Sequence, residues 1–377
     1  MKEHWIKKRW FIFLLFLVLA FLVVYLQPIF FPRQVQTIRP QDSQAIVEGG
    51  NTTLQAEPIA AAGFAKLIGK PEKELEKQYG KPTESYDSGY GFTIKHYQSD
   101  DPGYLEASIK DGKIAAVKTT GIDGEPIAPF QLNMSMGDLA EITMLYPNFT
   151  IVNDDKAVEI ELMEEDLNYR PLVTFDNGTY SILFFNAESK LIGVMYLTTE
   201  MLLKLAPYNL VQGTPPKMEA TVSEDQWEPI DQAKEKQGYQ LFNLLREQDQ
   251  LERYDTTFTL QGQSRDFLSR FLKKPANYLE ENRYENFRKV TEDASNAVFM
   301  LSGQEFSEVA RAVEVPDIDG FFETPCYDPT FQILSWYSDP FMHNRFMKKD
   351  PQAMAIGILA QNMVILFEDV KATKDSD

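Results

Sequence analysis

Apolar positions form one uninterrupted block early in the chain, from Trp10 to Leu26, and short periodic runs everywhere after it. In a helix rising ~1.5 Å per residue, the block covers most of a ~30 Å hydrocarbon core. Lys2, Lys7, Lys8 and Arg9 precede it against one acid, Glu3, and Trp5, Trp10 and Tyr25 suit the headgroup regions. A positive flank stays in the cytoplasm, so residues 1–31 predict a single-pass transmembrane signal-anchor with the bulk of the chain outside. A cleaved signal peptide is the competing reading. It needs a small-residue cleavage site, whereas Leu26 to Pro32 offers large side chains and prolines.

Residues 32–62 lack periodicity, carry a Gly49-Gly50-Asn51 turn signal and read as a spacer. From 63 to 210 the pattern is a helix followed by strands, met twice. Leu67 to Tyr79 reads as a short helix stopped by Gly80. Phe92 to Tyr97 and Tyr104 to Ile109 alternate as strands, and Asp111-Gly112 makes a tight turn into Lys113 to Val117. Ser135 with Asp138 opens a second helix through Tyr146. Strands follow at Val158–Met163, Leu172–Phe175, Ser181–Phe185 and Lys190–Val194. The last echoes Lys113–Val117, which predicts two helix-plus-sheet repeats packed together, since either alone has a small core.

Residues 211–230 form a linker around Gly213-Thr214-Pro215-Pro216. Beyond it, 231–370 turns helical, with amphipathic patterns at Gln232–Tyr254 and Thr259–Lys274. Shorter helices are expected at Asn277–Lys289, Glu292–Leu301, Phe306–Val313 and Pro329–Tyr337, and two strands joined at Gln361-Asn362 over Ala355–Phe367. Residues 371–377 are a tail. The fold class is α+β: the anchor, a repeated helix-plus-antiparallel-sheet domain, then a helix-rich α-β-α domain.

A formal charge of −19 repels nucleic acid and anionic lipid, which excludes nucleic-acid binding as the main role. Cys326 is the single cysteine, so no disulfide staples the fold, and its Pro-rich surroundings suggest a structural or incidental thiol.

Two resemblances rest on these residues. Residues 64–208 resemble the CAP-associated N-terminal domain of bacterial exported proteins, on the helix–strands–Asp111-Gly112-Lys113 pattern and its looser second copy. Residues 235–370 resemble a divergent CAP domain, of the cysteine-rich secretory, antigen 5 and pathogenesis-related superfamily. Phe242-Asn243-Leu244-Leu245-Arg246 is similar to its opening helix, and Gln263 to Leu268 to its second. Ser335-Trp336-Tyr337-Ser338-Asp339-Pro340-Phe341-Met342-His343-Asn344-Arg345 resembles its W-x-x-S-P-G-H-R segment, followed by Ile356-Gly357-Ile358.

That family carries two His and two Glu able to hold a divalent metal. His343 matches the second His. Lys274 stands near the first His position, Phe321 at one Glu, and Thr330 or Phe331 at the other. A second register through Tyr284-Glu285-Asn286-Phe287 restores one Glu but lengthens the spacing to Trp336. The resemblance therefore implies no metal, no cofactor and no catalytic residue, and leaves a vestigial groove at His343, Arg345, Trp336 and Phe321. His96 is expected to face solvent or a neighbouring strand. The acidic runs Glu164-Glu165-Asp166 and Glu280-Glu281 read as solvated surface.

The resulting expectation is a non-enzymatic module at the outer face of a membrane, binding an envelope polymer, lipid or membrane protein. A surface hydrolase or metal-dependent enzyme with an unidentified site, and a regulatory or assembly subunit, remain as alternatives.

Overall fold

Asp111 and Gly112 both take positive φ, 50° and 72°. That is the geometry of a two-residue hairpin turn, whose twist matches the flanking strands. The turn joins β3 (Tyr104–Lys110) to β4 (Lys113–Thr120) at the centre of the first sheet. The structure, a computed structural model, describes residues 56–370 apart from 100–102, 154, 293–296, 316 and 351. The expected anchor, most of the spacer and the tail lie outside the described residues. Among those described, no helix is long and apolar enough to cross a membrane.

The first sheet has seven strands in the order β1-β2-β3-β4-β9-β8-β7, all antiparallel. It comprises β1 (Glu84–Asp87), β2 (Thr93–Tyr97), β3 and β4, then β7 (Leu172–Thr174), β8 (Tyr180–Phe185) and β9 (Leu191–Leu197). The two copies meet at β4 and β9. Equivalent main-chain bonds tie each copy's entry segment to its last strand. Gly69 N and Ile114 N donate to Ile114 O and Lys70 O; Asn133 N and Leu191 N donate to Leu191 O and Met134 O. Short helices follow these segments, α1 (Lys73–Tyr79) and α2 (Met136–Ile142). In α2 Ser135 and Asp138 form the reciprocal capping box that their spacing predicts.

The second copy differs by an excursion. β5 (Asn148–Asn153) and β6 (Lys156–Glu161) leave the main sheet and pair with β10 (Asn209–Gln212) in the order β10-β6-β5. Helices α3 (Glu164–Tyr169) and α4 (Thr199–Leu205) flank them.

In the C-terminal part, α5 (Trp227–Gln248) and α6 (Phe258–Lys273) enclose a four-stranded sheet ordered β11-β12-β14-β13. Its strands are β11 (Phe299–Met300), β12 (Asp319–Thr324), β13 (Gln352–Leu359) and β14 (Asn362–Asp369). Two glycines show why both helices fit. A Cβ on Gly238 of α5 would lie 2.9 Å from Ile356, and one on Gly357 of β13 would lie 2.9 Å from the Ser264 main chain of α6. Ile356 and Gly357 are neighbours and point to opposite faces, so α5 and α6 cover opposite faces. Helices α7 (Glu281–Glu292) and α8 (Gly303–Ala312) join the α6 side; α9 (Pro329–Ser338) and α10 (Pro340–Phe346) join the α5 side. The helix expected over Glu292–Leu301 does not reach its end: Phe299 and Met300 pair with Thr324 and Glu323 as a strand. Phe299 buries its ring against Phe287 of α7, a tertiary contact that overrides local helical periodicity.

The layers continue across both parts. One core contains Ala116, Ile182, Phe184, Met195 and Leu197 of the seven-stranded sheet together with Leu241, Phe242, Ile333, Trp336 and Ile356. The other face of that sheet, with Leu183, Phe185, Val194 and Tyr196, buries against Phe64, Leu75 and Leu139. The layer of α5, α9 and α10 is therefore shared, with the large sheet on one side and the small sheet on the other.

Candidate functional site at the domain junction

The shared layer is crossed by a buried polar network that begins on the large sheet. His96 of β2 stands opposite Glu106 of β3, and Glu106 opposite Lys118 of β4. Lys118 and Glu106 are 0% and 1% exposed. The Lys118 ammonium bridges Glu106 Oε1 and Asp328 Oδ2 from the other domain. Asp328 also caps α9, its Oδ1 accepting Phe331 N at 3.0 Å. Glu106 Oε2 accepts from the Thr330 and Tyr104 hydroxyls, each at 2.6 Å.

Burial alone would raise the Glu106 carboxyl; Lys118, then His96, more than offset it and hold it well below the usual range. Burial would lower Lys118, and Asp328 and Glu106 raise it instead. Glu106 and Lys118 therefore keep their charges together. His96 is buried, which corrects the solvent-facing alternative and leaves the cross-strand one. Its Nδ1 lies 2.8 Å from the Gln237 amide nitrogen and its Nε2 3.6 Å from Glu106. Burial, the largest influence, lowers its pKa.

A second buried carboxylate sits on β12. Glu323 accepts from Gln332 Nε2 at 2.6 Å and from Trp336 Nε1. Burial raises it to about 7, against the bonds from Trp336 and Gln332 and the charge of Arg170. Phe321 lies two residues earlier, on the same strand face, and meets the Trp336 ring edge-on at 4.7 Å. Sequence reasoning placed a missing acid at Phe321 and passed over Glu323. The signal was present, because a shift of two along a strand keeps the side chain on one face.

Trp336 and Phe321 thus touch each other. Arg345 lies over the Phe367 ring at 3.8 Å and binds Asp319 at 2.7 Å. His343 is buried, with Nδ1 2.8 Å from Tyr337 O and Nε2 4.0 Å from the exposed Glu188. None of the four lines the large cavity described next. A metal of the kind held by two His and two Glu does not fit here. His343 is turned toward a carbonyl, and both oxygens of Glu323 accept bonds from α9. Among the described residues, no three His, Cys, Asp or Glu side chains converge to hold an ion.

Two further buried groups lie nearby, of which Lys234 was not foreseen from the sequence. Lys234 of α5 is 1% exposed, and its Nζ lacks a hydrogen-bond partner among the described residues. It sits 4.8 Å from the Tyr90 ring centroid and 5.4 Å from that of Trp227, and burial lowers its pKa. Cys326 is buried beside Met363, and burial pushes its thiol up, so it stays protonated.

Beside these groups lies a cavity of about 1060 Å³ between the two parts. Its wall from the first part runs from Glu161 to Met218, and its wall from the second includes Val298, Glu323, Tyr327 and Phe331. Met163, Leu210, Val211 and Val298 line it and are exposed. Arg170 pairs with Asp166 at 3.0 Å, and Lys204 with Glu200 at 2.9 Å.

A family model described as CAP-associated N-terminal matches residues 68–208. That stretch is a CAP-associated N-terminal domain. The uncharacterized membrane protein YlbC of Bacillus subtilis (strain 168) is 22% identical over 188 residues, or 50% of this chain and 54% of that protein. The chain thus spans about half the length of that curated relative. A crystal structure of an extracellular protein containing a SCP domain, from Bacillus anthracis str. Ames, superposes with a TM-score of 0.64 at 16% identity, covering 88% of this chain and all of that one. A cysteine-rich secretory protein of Staphylococcus aureus subsp. aureus Mu50 gives 0.62 at 20% identity, covering 84% and 98%. At these identities the likeness is one of fold. The CAP-associated domain is therefore followed by a domain of CAP-like fold, and the cavity lies where the two meet.

Proposed function

We propose that this protein is a non-enzymatic binding module held at the outer face of a membrane, with the cavity between the CAP-associated and CAP-like domains as its binding surface. One observation carries the reading. The two groups nearest the metal-binding pattern, His343 and Glu323, are bonded inside the protein, whereas exposed apolar side chains collect around the cavity. His343 is turned to Tyr337 O, and Glu323 to Trp336 and Gln332. Met163, Leu210, Val211 and Val298 remain unsheathed. Concave apolar surface with a few polar groups is what ligand sites share. The membrane location is supported by the Trp10–Leu26 block and by the description of the relative as a membrane protein.

The test is elemental analysis of the purified full chain in detergent, together with a hydrolase screen against ester, peptide and glycoside substrates. Background metal and no turnover are expected. A stoichiometric transition metal, or turnover abolished by His343→Ala, would overturn the reading.

A further inference from the structure

The edges of the three sheets are treated differently. Outer strand β7 is covered by Ile59, whose N–H donates to Thr174 O while its carbonyl accepts from Asp176 N. β13 is covered by Asp255, bonded to Gln352 O and Met354 N. At β11 the Arg283 guanidinium donates to Met300 O. β1 carries an acid at each end, Glu84 and Asp87. These are the devices by which edges are kept from pairing with other chains.

β10 has none of them. Its sequence, Asn209-Leu210-Val211-Gln212, contains no charge and no proline, and all four residues are exposed. Its one irregularity, the shift between Leu210 and Gln212, lies in its pairing with β6. No main-chain bond among the described residues reaches its other side. The strand also borders the cavity, which Leu210 and Val211 line. β5, the other edge of this sheet, contributes nothing to that cavity.

Charge selects among occupants. Glu161 and Glu159 of β6 stand opposite Asn209 and Gln212, and neither joins an ion pair among the described residues. A strand added beyond β10 would lie ~9–10 Å from β6, two strand spacings away. Long basic side chains span that distance and short ones do not. The chain's charge of −19 opposes a second copy as the occupant.

We infer that β10 and the adjoining cavity accept an extended basic segment of a partner protein, which adds a fourth strand to the β10-β6-β5 sheet, sets apolar side chains against Leu210, Val211, Met163 and Val298, and directs Lys or Arg toward Glu159 and Glu161. The inference rests on the binding-module reading and names its partner class. Main-chain pairing supplies affinity in this mode, and alternate side chains supply specificity.

The experiment is selection of random linear peptides displayed on phage against the full chain in detergent. The enriched peptides are expected to carry Lys or Arg at alternating positions. A synthetic copy of one should bind at least tenfold more weakly when its alternate amides are N-methylated, and at least tenfold more weakly to Leu210→Lys/Val211→Lys. Both substituted positions are exposed, and circular dichroism checks that this variant is folded. Equal binding by the N-methylated peptide, or no enrichment by a chain verified as folded, overturns the inference. Saturable binding of chitooligosaccharides or phosphatidylglycerol vesicles, lost on Leu210→Lys/Val211→Lys, also overturns it while leaving the binding-module reading intact. A stoichiometric metal or turnover removes that reading itself.

Discussion

Replacing Lys118 by Met probes the seam between the domains most directly. The substitution keeps the length and apolar body of the side chain and removes one charge that two buried carboxylates share. Glu106 and Asp328 would then lie beside each other without a cation, and breaking a buried pair in this way costs about 3–5 kcal/mol. The pH dependence supplies the sharper signature. In the parent, Glu106 is held below its unfolded value. Its contribution is full above about 4.3 and is lost as pH falls through the folded value. Lys118 is raised, so its contribution is full below about 10.4 and is lost only as pH rises through its own folded value. From pH 5 to 9 the Glu106 and Lys118 contributions are level in the parent, and the lowered His96 adds stability only as pH rises to about 6.5. In Lys118→Met, burial without a counter-charge raises the carboxyls. Stability is then full below their unfolded values and falls as pH rises. The gap between parent and variant should widen from pH 5 to 9, measured by urea unfolding of the full chain in detergent and followed by circular dichroism. Adding Glu106→Gln and Asp328→Asn should recover much of the loss, since Asn still caps α9. A loss under about 1 kcal/mol, or a gap independent of pH, would refute the reasoning.

Glu323 works with the opposite sign. Raised to about 7, it leaves stability intact below about 4.3 and withdraws it as pH rises to 7. Glu323→Gln should gain up to roughly 3 kcal/mol at pH 8 and nothing at pH 4, read as melting temperature; Gln332 can turn its amide to accept from the new one. Gly89→Ala would set a Cβ 2.3 Å from the Trp227 ring at φ +83° and should destabilise by roughly 2–3 kcal/mol with a shift in tryptophan emission. Gly112→Ala, with φ +72° and open space around it, should lose only about 1 kcal/mol by the same unfolding assay. Lys234→Met removes an amine that burial strips of water without a hydrogen bond, so it should be neutral or stabilising by about 1 kcal/mol in urea unfolding at pH 7.

Much of the first domain was legible because its signals are local. The Asp111-Gly112 turn and the Ser135–Asp138 capping box are set by backbone geometry within a few residues. The excursion was less visible. Asn148–Asn153 was assigned no element although Phe149, Thr150, Ile151 and Val152 all favour a strand, and β10 was read as the edge of a linker. α10 was missed because Pro340 looks like a stop, whereas proline is welcome in a first turn. The site was hardest to foresee. Lys118, Glu106 and Asp328 are ordinary strand and loop residues until a sheet packs against a helix cap more than 200 positions away. Glu323 needed only the period of a strand, but the search was tied to a motif one face-repeat earlier.

The ion triad also bears on how such a chain can change over generations. Asp328 belongs to the CAP-like domain and its cation to the CAP-associated one. A transplanted partner lacking a lysine at the place of Lys118 would strand a carboxylate in a dry seam. The two modules therefore have to match at this seam. Substitutions at one face of the seam constrain what the other can become, while the uncovered strand beside the cavity stays free to drift toward new companions.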